Sequence, residues 1–161
     1  MKRVVILLAA AAFLASVLAP AQAVAEPPFN AHIKGVLRST CDFPVSFRLE
    51  GKLSFKTFRQ DSGHFASKII ETSPGWKGTF TNLNSGTTFR YTIAGPAIYK
   101  KVRGGSGSSA FLGPWVWTFN PVTGDDGIWI SKGRWYQSTT ENRFSGRLID
   151  VCQALTEWQG S

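Results

Sequence analysis

Sulfur and imidazole are scarce in this chain, which holds two cysteines, one methionine and two histidines. No Cys-x-x-Cys pair, Cys/His cluster or His-Glu-x-x-His spacing occurs, so neighbouring residues supply no zinc or dithiol redox site. His32 and His64 stand alone and read as solvated or hydrogen-bonded side chains. Acid is thin as well, ten Asp and Glu against eighteen Lys and Arg. Asp125-Asp126-Gly127 is the nearest approach to an acidic ligand array. Calcium, however, needs about six to eight oxygens, and Asp-Gly is equally the chemistry of a hairpin turn. The glycine-rich stretch 104–109 lacks the Gly-Lys-Ser/Thr of a phosphate cradle and runs into a strand rather than a helix. Its Gly104-Gly105-Ser106-Gly107-Ser108 also lacks the last glycine of a nucleophile elbow. No metal, no cofactor and no catalytic set is expected from these patterns. Long amphipathic helices and internal repeats are missing too.

What the chain does have begins at its N-terminus. Lys2 and Arg3 precede an apolar run from Val4 to Leu18, and Ala21-Gln22-Ala23 is a small-x-small site. That order is the order of a secretory signal peptide, with cleavage expected near Ala23 or, at Ala23-Val24-Ala25, two residues later. The run is about 15 residues, short of the roughly 20 that cross a bilayer, so no transmembrane anchor is expected. No cysteine follows Leu18-Ala19-Pro20-Ala21 to take a lipid. The expected organisation is residues 1–23 as signal peptide, 24–40 as a flexible or edge-running lead-in, and 41–161 as one β domain. Loss of Lys2 and Arg3 brings the formal charge of +8 to +6. A distributed excess of that kind favours solubility and loose contact with anionic polymers. Export argues against a nucleic-acid partner. The one basic cluster is Lys100-Lys101-Val102-Arg103, whose Lys100, Lys101 and Arg103 are candidate contacts to an anionic surface.

Cys41 and Cys152 make an even pair in an exported chain, which reads most simply as one disulfide tying the start of the fold to its end. Such a long loop, 111 residues of separation, contributes roughly 4–5 kcal/mol in the chain-entropy account.

The hydrophobic period from Phe43 onward is close to two. Val45, Phe47 and Leu49 alternate with Ser46, Arg48 and Glu50. After Gly51, Leu53 and Phe55 alternate with Lys52 and Ser54, so a bent strand and a tight hairpin both fit there. Pro74-Gly75 suits a type II turn. Trp76, Gly78 and Phe80 form one face of a strand, followed by the loop 82–86. Phe89, Tyr91 and Ile93 then complete the strongest hairpin pattern of the chain. Shorter runs follow over 97–102, 115–119, 128–130, 133–137 and 143–149. Asp150 is placed to cap a short C-terminal helix. The expected fold is all-β: an antiparallel meander of about eight to ten short strands closing into a barrel or sandwich, ending in a short helix.

Aromatic residues are the remaining signal. Trp115, Trp117 and Phe119 share a strand face, while Trp129 lies between Ile128 and Ile130 and must face away from both. Trp135 and Tyr136 are adjacent and so face opposite sides. Some large rings therefore leave the core, and Trp115, Trp117, Trp129, Trp135 and Tyr91 are the candidate ligand-binding residues. Two further readings compete with a binding domain. One is a small-barrel enzyme of isomerase, cyclase or hydrolase type, using a buried carboxylate or a tyrosine such as Tyr91 or Tyr99. Asp42, Glu50, Asp61, Glu71 and Asp150 are available, but spacing alone does not bring them together. The other is an outer-membrane barrel with its cations lining a lumen.

The stretch Phe80-Thr81-Asn82-Leu83-Asn84-Ser85-Gly86 through Gly95-Pro96, with Phe144-Ser145-Gly146-Arg147-Leu148-Ile149-Asp150-Val151-Cys152, resembles small secreted proteins of actinobacteria without assigned function. The resemblance implies an exported β-rich domain and no catalytic residue. The lead strand of lipocalins is absent. The expectation is a secreted, disulfide-closed binding domain whose partner is a small apolar ligand or a cell-envelope glycan.

Overall fold

The computed structural model describes residues 23–59, 65–102 and 104–157. Residues 1–22, where the signal peptide is expected, and His64, Asp61, Arg103 and Trp158 lie outside the described residues. The strands are β1 (Ala23–Ala25), β2 (Phe29–Leu37), β3 (Val45–Arg59), β4 (Phe65–Thr72), β5 (Trp76–Asn82), β6 (Thr88–Ile93), β7 (Pro96–Val102), β8 (Ser108–Phe119), β9 (Asp126–Ser138) and β10 (Asn142–Asp150). One helix, α1 (Val151–Glu157), follows, and Asp150 Oδ1 accepts from the Gln153 amide at 3.0 Å as the expected N-cap.

Every strand pair is antiparallel, and the registers join short strands end to end. Ala25 pairs with Lys56, the Glu26 amide donates to the Phe55 carbonyl at 2.9 Å, and Phe29 pairs with Leu53, so β1 and β2 run as one edge along β3. The patternless lead-in is therefore an edge strand. On the other side of β3, β5 pairs with its first half and β4 with its second, while β6 and β7 continue along β5 and β4. β7, β8, β9 and β10 then follow in order. The result is an up-and-down meander curled into a half-barrel. Full closure does not occur among the described residues: the hydrogen-bonded path ends at β10 and at β6, and β1 and β2 pair with β3 alone. The Cys41–Cys152 disulfide, with its Cα atoms 5.6 Å apart, links the β2–β3 connection to α1.

β3 is the bent continuous strand, not a hairpin. At Gly51 the backbone passes so close to Trp76 that a Cβ would stand 2.2 Å from the indole. A second bend decides the shape of the molecule. Gly113, Gly133 and Gly146 lie opposite one another across β8, β9 and β10. A Cβ at Gly133 would come within 2.2 Å of the Ser145 carbonyl oxygen, and one at Gly146 within 2.3 Å of the Lys132 carbonyl oxygen. Phe111 and Trp117 are six residues apart on β8, about 20 Å along an extended strand. Their ring centroids are 4.8 Å apart. The three strands thus fold sharply over the glycine row, and side chains on either side of it meet.

That fold gives the chain two apolar regions. Beyond the glycines, Ile128 and Ile130 are buried with Val45, Trp76, Phe80 and Ile93 of β3, β5 and β6 and with Val151 and Leu155 of α1. The other face of the same strands packs back on the aromatic residues of their first halves. The alternation read from sequence holds here, with Ile128 and Ile130 on one side and Trp129 on the other.

Candidate functional site

Cross-strand register places Phe55, Glu71, Ala97, Phe111, Trp135 and Phe144 in a single row on the inner face of the half-barrel. Phe111 is its hub. Its ring meets Trp115 at 5.3 Å and Trp117 at 4.8 Å edge-on, stacks on Trp135 at 5.5 Å, and takes the edge of Tyr99 at 5.8 Å. Trp117 stands perpendicular to Trp135 at 4.3 Å, and Phe119 closes the cluster against both. Each indole of this cluster has a partner: Trp117 Nε1 donates to Ser131 Oγ at 3.0 Å, Trp115 Nε1 to the Leu112 carbonyl at 3.2 Å, and Trp135 Nε1 to Asn142 Oδ1. Donors satisfied this way fix ring orientation. Trp135 is the buried floor of the cluster; Phe111, Trp115 and Trp117 are half-buried, and Phe119 is exposed. At the other end of the row, Phe55 stacks on exposed Phe29 at 6.2 Å.

One polar pair sits in this apolar face. Tyr99 Oη donates to Glu71 Oε2 at 2.9 Å. Burial, followed by the hydrogen bond and charge of Glu71, pushes the Tyr99 phenol well above its usual range, so it stays a neutral donor. Both side chains are half-buried. The partner residues on either side of Glu71 in the row are Phe55 and Ala97.

The structure therefore brings together Trp115, Trp117 and Trp135 from the sequence candidates, and adds Phe111, Tyr99 and Glu71 to them. Trp129 pairs in register with Trp117, but its buried Nε1 has no hydrogen-bond partner. Tyr91 belongs elsewhere, stacked on Phe89 at 6.1 Å along β6. The basic cluster divides. Adjacent strand residues face opposite sides, so Lys100 shares the outer face with Lys68, its register partner, whereas Lys101 pairs with Ser67 on the inner face. They do not form one contact surface, and Arg103 lies outside the described residues.

The outer face sets cations around an apolar row of Ile70, Ile98, Ala110 and Tyr136. Lys34 pairs directly with Arg48, and Lys68 with Lys100. Lys56 and Lys68 both stand over the Phe58 ring, at 5.1 and 5.6 Å. An open depression on this side is lined by Arg134, Tyr136, Glu141 and Arg143. Among the described residues no group of His, Cys, Asp and Glu side chains gathers as a metal site. Comparison with protein-family models, curated proteins and solved structures finds no match.

Proposed function

We propose that this chain is an exported, disulfide-fastened domain that holds an apolar or amphiphilic small molecule against the inner face of its half-barrel. The observation that carries the reading is the set of half-buried rings, Phe111, Trp115 and Trp117, gathered around Phe111 by the glycine fold and still open to solvent. Apolar surface left exposed on a concave face is what a ligand of this class covers. The disulfide suits an oxidising compartment.

A glycan is a poorer fit. Sugars stack flat on an exposed ring, and these rings lock edge to face, at 87° for Phe111 with Trp117 and 90° for Trp117 with Trp135. The outer-membrane reading is disfavoured by the outer face, where lipid would meet Lys68, Lys100 and Arg134. The test is tryptophan emission during titration with an apolar fluorescent probe. Uptake with quenching in the native protein, weakened by Phe111→Ala, supports the proposal; no uptake of any apolar probe contradicts it.

A further inference from the structure

Glu71 is out of place by every ordinary rule for an inner strand face. Its register neighbours are Phe55 on β3 and Ala97 on β7, with Phe111 the next residue along the row. Among the described residues its side chain has a single partner, the Tyr99 hydroxyl, and no Lys, Arg or His within salt-bridge distance. The inner-face cations Arg59 and Lys101 both pair with Ser67, four residues along β4 and so about 13 Å away. A half-buried carboxylate in apolar surroundings loses hydration that one neutral phenol donor replaces only in part. Sequence economy would put Thr or Val here, as at Thr57 and Ile69 in the next row.

The charge is also unusual against its background. The protein as a whole is strongly basic, and its cations crowd the outer face. Glu71 is a local acid placed where the aromatic cluster begins: Tyr99 touches the carboxylate with its hydroxyl and Phe111 with its ring. A carboxylate beside aromatic rings accepts N⁺–H donors and leaves the rings to meet the cation's apolar flank.

We infer that Glu71 and Tyr99 seat the ammonium head of a cationic amphiphile, whose apolar part runs over Phe111 toward Trp115 and Trp117. The inference rests on the inner-face binding proposed above and names the charge of its ligand. Tyr99 acts as a positioning residue, holding one carboxylate oxygen so that the other faces the incoming head group.

The experiment compares three chain-matched probes, decylammonium, decanol and decanoate, by tryptophan emission at low ionic strength. Native protein is expected to prefer decylammonium over decanol by about ten- to a hundredfold, the ratio that one charge-assisted hydrogen bond carries. Decanoate is expected to bind most weakly, despite the basic surface. In Glu71→Gln the ammonium-to-alcohol ratio collapses toward unity, while Glu71→Asp retains part of it. Equal affinity of native protein for decylammonium and decanol, or preference for decanoate, overturns the inference while leaving inner-face binding standing. Failure of all three probes to bind overturns both. The comparison on native protein decides the matter even if Glu71→Gln does not fold.

Discussion

Tyr99 gives the residue scale its clearest handle. Because burial and Glu71 keep its phenol neutral, the folded protein retains a proton that the unfolded chain surrenders above about pH 10. This contribution to stability is intact below that pH and is lost progressively as pH rises beyond it. Urea midpoints measured at about pH 9 and about pH 11 are expected to fall with pH in the native protein, and to fall less in Tyr99→Phe. An equal fall in both proteins would show that Tyr99 has no such role. Several individual residues were legible in the sequence for a simple reason: alternation along a strand assigns faces without any structure. It separated Trp129 from Ile128 and Ile130, and Trp135 from Tyr136. Applied to Lys100 and Lys101, the same rule splits the basic cluster that proximity in sequence had joined. The Tyr99–Glu71 contact was not legible, since it joins residues 28 apart through a strand register that no local pattern encodes.

Among the elements, the hairpin of β5 and β6 and the cap of α1 follow directly from turn residues and from Asp150. Sequence pattern alone makes β8 and β9 too short. Gly113-Pro114 and Gly133 look like interruptions, so the runs 115–119 and 128–130 stand as separate elements, and Phe111 falls outside the aromatic face. Those glycines are instead the crease of continuous strands. Gly133 adopts φ +157° and has the Ser145 carbonyl where a side chain would begin. Gly133→Ala is therefore expected to cost about 2 kcal/mol or more, from the clash and the strained backbone together. It should also flatten the near-ultraviolet circular dichroism that the interlocked Trp117 and Trp135 rings produce. A variant that keeps both native stability and that aromatic signal would contradict the crease. Conversely, the lead-in at 29–37 shows little strand pattern because its apolar residues divide: Phe29, Ile33 and Val36 are exposed, while Ala31 and Leu37 pack against the core.

For the molecule as a whole, the two faces of one sheet divide the work. The outer face carries directly opposed cations, such as Lys68 with Lys100, an arrangement that costs stability in a sheet and keeps the particle strongly charged. The inner face collects the rings and the half-buried acid Glu71. The disulfide closes what hydrogen bonding leaves open, joining the β2–β3 connection to the helix after β10. All-β class, meander order and cysteine pairing were readable from period, turn spacing and the count of two cysteines. The open half-barrel was not, because curvature here is set by glycine positions whose partners lie on other strands.

Native mass spectrometry of the protein exported by its own host, purified without detergent, reads ligand and disulfide together. The expected species is a chain beginning at Val24 or Glu26, two hydrogens lighter than the reduced form. It is expected to carry an apolar or amphiphilic molecule, which is released on unfolding. A bare chain that also takes up no amphiphile on incubation would contradict inner-face binding.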